Sequence, residues 1–222
     1  MRRFRWKRRR AALALLPAMA MMLTAAVAGA AVAPEVSGTG PQATAAGGQP
    51  TGISLSAHRN VMAHQAVTLR GQVTPAGTHP VVVRVGGHKL DTHTAPDGSY
   101  RVRWHVPGSG VYRVQATATD ADAVQTHPLR VDAFRPAEAS YYGPGLYGGG
   151  LACGGTLSPG KLGVANKTLP CGSMVTLRYH GHTVTVPVID RGPYAGNREY
   201  DLTAATKAKL GFPSTGTVLT TR

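Results

Sequence analysis

The sequence predicts an all-β chain of two domains, and three observations predict it. Short runs alternate apolar and polar residues, as in Val67-x-Leu69-x-Gly71-x-Val73 and Tyr100-x-Val102-x-Trp104-x-Val106. Such alternation marks strands with one buried face. Turn signals separate the runs, among them Pro75-Ala76-Gly77, Gly86-Gly87, Asp97-Gly98 and Pro107-Gly108. Glycine (28) and proline (16) make up about a fifth of the 222 residues, and no long helical period is present. A chain of this length holds two small domains with linkers.

The N-terminus reads as an export signal over residues 1–30. Seven of the 24 basic residues lie in the first ten positions, an apolar run from Ala11 to about Ala28 follows, and Ala28-Gly29-Ala30 offers a small-residue cleavage site. An uncleaved run of this length could instead anchor the chain, since about 18 apolar residues can span a bilayer. No cysteine follows the run, so lipid attachment at that point is not expected. Residues 31–50 are rich in Gly, Ser, Thr, Ala and Pro and read as a flexible linker. The formal charge is +14, but beyond the first ten positions 17 basic residues face 10 acidic ones, a net +7. A moderately basic exported chain suits peptidoglycan carboxylates and anionic wall polymers. No nucleic-acid motif is present, so nucleic acid is not an expected partner, and a membrane is one only through an uncleaved signal.

Residues 51–133 carry six or seven candidate strands, also including Val81-x-Val83-x-Val85, Tyr112-x-Val114-x-Ala116 and Leu129-x-Val131. That density predicts a β-sandwich, which resembles immunoglobulin-like spacers in architecture. Trp104 falls on a predicted inward face and reads as core. Seven of the nine histidines lie here without metal-ligand spacing; all nine are expected to be scattered and exposed, with no metal site. Residues 134–138, with Phe134-Arg135-Pro136, are expected to link the domains.

The second domain, 139–222, holds both cysteines, Cys153 and Cys171, which in an exported chain are expected to form a disulfide. Val175-x-Leu177-x-Tyr179 and Val184-x-Val186-x-Val188 predict a hairpin with His180 to His182 at its tip. One short helix is expected from Thr203 to Leu210, capped by Asp201 or Thr203 and stopped by Gly211. The segment Asp190-Arg191-Gly192-Pro193-Tyr194 ends the apolar strand Val184 to Ile189. It presents a carboxyl at the edge of a core, with burial and the neighbouring arginine acting in opposite directions on its acidity. Such a carboxyl can transfer protons in catalysis.

In order, Ala139-Ser140-Tyr141-Tyr142-Gly143, Lys167-Thr168-Leu169-Pro170-Cys171-Gly172, Asp190-Arg191-Gly192-Pro193-Tyr194 and Asp201-Leu202-Thr203 resemble the motifs of the rare lipoprotein A (RlpA) family. The resemblance covers about residues 138 to 220. It implies a six-stranded double-psi β-barrel with a short helix and a groove for glycan strands. Enzymes of the family are lytic transglycosylases acting on peptidoglycan lacking stem peptides. The resemblance carries the acid/base role onto Asp190, with Asp201 and Asn166 in support. Tyr142, Tyr194, Arg191 and Thr168 are the expected substrate contacts, and no cofactor is implied. Two departures stand out: Asn166 occupies the place of a family histidine and Gly155 that of a glutamate. Asn166 can orient a sugar hydroxyl but cannot transfer a proton. The expected function is thus an exported, wall-associated lytic transglycosylase. A non-catalytic expansin-like module that binds or loosens wall glycan, or an adhesive protein with an inert barrel, remains the alternative.

Overall fold

The structure, a computed structural model, describes residues 48–222 apart from Ala121. The expected export signal and residues 31–47 of the expected linker lie outside the described residues. In chain order the elements are β1 (Gly52–Ile53), β2 (Asn60–Met62), β3 (Ala66–Thr74), β4 (Pro80–Val85), β5 (His88–His93), β6 (Ser99–His105), β7 (Gly110–Ala118) and β8 (Val124–Gln125). They continue with β9 (Leu129–Tyr142), β10 (Val164–Asn166), β11 (Met174–Tyr179), β12 (His182–Asp190), β13 (Tyr200–Thr203), α1 (Ala204–Leu210) and β14 (Gly216–Thr220).

In the N-terminal half, β1, β3 and β6 form one antiparallel sheet, and β5, β4, β7 and β9 pair in that order in another. Their inward residues share one core: Val67, Leu69, Tyr100 and Trp104 from the first sheet meet Val83, Val114, Ala116 and Val131 from the second. The two-residue alternation is what makes this possible, because it gives each strand one apolar face. Trp104 is 4% exposed and stacks edge-on against Tyr112. His79 departs from the expectation that every histidine is exposed. It is 1% exposed, with Nδ1 3.2 Å from Asp120 Oδ2 and Nε2 3.1 Å from the Pro75 carbonyl. The sequence did not show these two acceptors, which come from turns on either side of it.

The C-terminal half is a closed six-stranded barrel in the order β9-β13-β10-β12-β11-β14, with β14 returning to β9. Two pairings, β13 with β9 and β10 with β12, are parallel; the rest are antiparallel. Tyr200, Leu202, Val186, Val188, Leu177 and Leu210 fill the interior. The β11–β12 hairpin turns at His180-Gly181, both with positive φ, as a two-residue hairpin turn requires. α1 begins at Thr203, whose hydroxyl accepts from Thr206 N, and stops at Gly211 in the left-handed region. Asp201 therefore does not cap it.

Residues 134–138, expected as a linker, lie inside β9. This strand pairs with β7 and β2 through Phe134, with β14 from Arg135 to Ala139, and with β13 from Ala139 to Tyr142. At Pro136 a paired strand is present on one side only, so the missing N–H leaves no ladder bond unmade. Glu199 is held by Arg135, whose Nη1 donates to Oε2 at 2.8 Å.

Candidate active site

Register places four residues in one row across the barrel wall. Ser140 of β9 pairs with Asp201 of β13, Asp201 with Ala165 of β10, and Ala165 with Asp190 of β12. The two acids therefore flank one small residue, two strand spacings apart, on the order of 10 Å between backbones. The register of β10 against β12 shifts between Val164 and Ala165, the kind of irregularity that re-aims a side chain at a strand end.

Asp190 is half-buried at the last position of β12. Its Oδ1 accepts from the backbone N–H of Ala152 at 2.9 Å and of Arg191 at 2.8 Å. Among the described residues no backbone N–H is bonded to Oδ2. Asp190 lines a pocket of about 140 Å³ with Tyr142, Leu146, Gly149, Leu151 and Leu157. Leu151, Leu157 and Ile189 form a small separate core beneath this pocket, with Tyr142 against it. Gly163 is required there, since a Cβ would collide with Ile189. The Tyr142 hydroxyl is buried without a partner among the described residues. Burial pushes that phenol up, with the charges of Asp190 and Asp201 and its approach to the Asp190 carboxyl adding to the rise, so it stays protonated.

Burial pushes the Asp201 carboxyl above the usual carboxylate range; the Ser140 hydroxyl (2.8 Å) and Arg198 pull it back, and the Asp190 charge adds to the rise. In the window between the unfolded value of about 3.9 and this raised folded value, the folded state binds more protons, so Asp201 weakens the fold as pH rises. Asp201→Asn is expected to raise the melting temperature at pH 7. The gain should fade as pH falls through the window, which thermal unfolding at a series of pH values checks.

The other expected site residues divide. Tyr194 is 81% exposed on the Asp190 turn and free to offer a face to a ligand. Thr168 is exposed, and its N–H is held by Asn166 Oδ1. Arg191 faces the protein instead: Nη1 donates to the carbonyls of Asn166 (3.1 Å) and Leu169 (3.0 Å), and Nη2 lies 3.1 Å from Cys171 Sγ. Asn166 is 3% exposed, and both ends of its amide are engaged. Oδ1 accepts from Thr168 N and Leu169 N, and Nδ2 donates to the Glu199 carbonyl. It builds the turn that Arg191 braces. Asn166→Ala is expected to cost roughly 1–2 kcal/mol, since it leaves the Thr168 and Leu169 N–H groups and the Glu199 carbonyl without this partner. Asn166→His, which restores the family residue, should also lower stability, as urea unfolding would show.

The expected disulfide is present: Cys153 and Cys171 join the loop that carries Ala152 to the turn that Arg191 braces. Sequence reasoning assigned no role to Ser140, the side-chain partner of Asp201, although it lies in a quoted motif. It also missed the Ala152 N–H, for which the sequence holds no signal.

The closed six-stranded barrel with two parallel pairings and one short helix is consistent with a double-psi β-barrel domain. Residues 137–221 match the family described as lytic transglycolase. The probable endolytic peptidoglycan transglycosylase RlpA of Synechocystis sp. is 40% identical over 80 residues, covering 35% of this chain and 25% of that protein. The endolytic peptidoglycan transglycosylase RlpA of Neisseria meningitidis serogroup B is 33% identical over 135 residues, covering 60% of this chain and 54% of that protein. The chain thus spans about a quarter to a half of the length of these relatives. Among solved structures, the Streptomyces papain inhibitor is 26% identical, with 40% of this chain and 94% of that one covered and a TM-score of 0.31.

Proposed function

We propose that this chain is an exported, wall-associated protein whose barrel cleaves peptidoglycan glycan strands as a lytic transglycosylase. The observation that carries this reading is the setting of Asp190: one carboxyl oxygen is fixed by two backbone N–H groups, and the residue lines a pocket together with the Tyr142 phenol. The carboxyl donates a proton to the departing glycosidic oxygen as the bond from C1 breaks. It then takes the proton from the C6 hydroxyl of the same sugar as that oxygen closes on C1. The product is an anhydro sugar, no water is consumed, and one carboxyl serves both steps. Asp201 and the Tyr142 phenol supply a protonatable group and a hydrogen-bond donor beside it, and Tyr194 offers a flat face to a sugar ring. Asn166 contributes by shaping the turn.

The domain organisation follows the same reading. The N-terminal sheet pair is an immunoglobulin-like spacer over residues 51–133, and the pairing of the barrel begins at Arg135, four residues before the boundary expected at 139. Among the described residues no helix is long and apolar enough to cross a membrane.

Incubation with peptide-free glycan strands, followed by mass spectrometry for anhydromuramic ends, tests the activity. A second reading, a non-catalytic expansin-like module, is favoured by one observation: Asn166 and Gly155 stand where the family's enzymes carry a histidine and a glutamate. Sedimentation with the polymer but no anhydro products would support that reading instead.

A further inference from the structure

The outer face of the β1-β3-β6 sheet carries a concentration of positive charge that neither the barrel nor its chemistry uses. Leu69, Val73, Tyr100 and Trp104 point into the core, so Thr68 and Arg70 of β3 and Arg101, Arg103 and His105 of β6 face outward. All but the half-buried Thr68 are exposed. Register sets Arg70 directly opposite Arg101, and Thr68 opposite Arg103. Like charges directly across a strand pair weaken a sheet, and here no ion pair offsets them among the described residues. Among the described residues the ion pairs are His79–Asp120, Lys89–Asp91, Arg130–Asp132 and Arg135–Glu199, and none includes these arginines. Asp97, on the turn before β6, is the acid that feels the charge of Arg101, and it makes no ion pair with it. On the other sheet, by contrast, Arg130 lies opposite Arg113 but is neutralised by Asp132 at 2.8 Å.

A second observation is concavity. Two hollows of about 240 and 330 Å³ open beside this face, and both are lined by His58, Thr68 and Arg70.

We infer that this face is a binding site for a phosphodiester-linked polyol chain, a polyanion whose successive phosphates are held by Arg70, Arg101 and Arg103. Arg101 and Arg103 are two residues apart on one strand, about 6.8 Å, a spacing suited to successive groups of an extended polymer. The guanidinium fork binds phosphate oxygens two at a time. The face turns no Phe, Tyr or Trp side chain outward, since Tyr100 and Trp104 are buried. Its only rings are the imidazoles of His58 and His105, a small stacking surface beside three guanidinium groups, which favours a ring-free polyol backbone over a nucleic acid or an acidic polysaccharide. The hollows adjoin Arg70 on the Ser56–His58 side of β3 and give room for the polyol carbons beyond the phosphate held there. The site is separate from Asp190, so it can hold the chain on one wall polymer while the barrel acts on another.

The test uses the full chain and a fluorescently labelled glycerol-phosphate oligomer, titrated at 50 and 200 mM salt. Binding should weaken with salt. The variant Arg70→Gln/Arg101→Gln/Arg103→Gln should lose roughly 10- to 100-fold in affinity. Its log–log salt slope should fall by about two. Arg84→Gln, on the outer face of the other sheet, should bind like the parent protein. Removing the like-charge pair should leave the melting temperature unchanged or higher, which separates lost binding from lost folding. Cleavage of glycan strands by the triple variant should be unaffected, so failure here and failure of the barrel activity are distinguishable. Unchanged oligomer affinity in the triple variant would overturn the site. Equal, arginine-dependent binding of duplex DNA or polygalacturonate would overturn the polyol-phosphate assignment.

Discussion

Asp190→Asn is expected to abolish formation of anhydromuramic ends, with a fall in rate of roughly 10²- to 10⁴-fold, the usual contribution of a positioned proton-transfer group. The substitution is close to isosteric. The amide oxygen can keep both backbone hydrogen bonds, from Ala152 and Arg191, that Oδ1 accepts now. The amide NH₂ then occupies the place of Oδ2, where it can hydrogen-bond to the glycan but cannot deliver a proton. Melting should therefore shift little, as for a change that leaves the contacts of the fold in place. Binding to glycan strands should survive. Retained cleavage in a folded Asp190→Asn variant would remove this residue from the chemistry and turn attention to Asp201, the acid that burial pushes upward.

Replacing both cysteines by serine should produce the largest loss of stability. The bridge between Cys153 and Cys171 spans 18 positions, for which chain-entropy estimates give about 3 kcal/mol. In a chain of this size that corresponds to a fall in melting temperature of roughly 6–12 °C. The effect should reach the site as well. Cys153 N donates to the Ile189 carbonyl at 3.2 Å, one residue before the acid, and the neighbouring Ala152 N–H holds the carboxylate itself. On the other side, Cys171 Sγ lies 3.1 Å from Arg191. Without the bridge, both supports of Asp190 loosen. The rate of anhydro-sugar formation should drop more than glycan affinity does, and adding reductant to the parent protein should reproduce the trend.

Much of the barrel was legible in the sequence because its signals are local. The β11–β12 hairpin follows from two alternating runs around His180-Gly181-His182, and α1 follows from a threonine cap and a glycine stop. Asp190 was legible as a carboxyl at the end of an apolar strand. Three features were not. Asn166 reads as a polar residue beside a motif, and only the folded turn shows that its amide is used up on the backbone of Thr168, Leu169 and Glu199. Arg191 reads as a cation for an anionic substrate, yet the carbonyls it braces lie more than twenty residues away in sequence. The run Phe134-Arg135-Pro136 reads as a break because proline lacks an N–H. The break does not occur, because at that point the strand has a partner on only one side. In each case the deciding contact is long-range, and a sequence read by periodicity and punctuation does not carry it.

The uninterrupted course of β9 sets how this molecule can transmit force. Its fourteen residues begin in the N-terminal sheet pair and end at Tyr142, in the wall of the pocket beside Asp190. A pull on the N-terminal half would reach the cleft through extended backbone and ladder bonds without crossing a hinge. Whatever grips the N-terminal sheet pair therefore also bears on the direction in which the cleft faces.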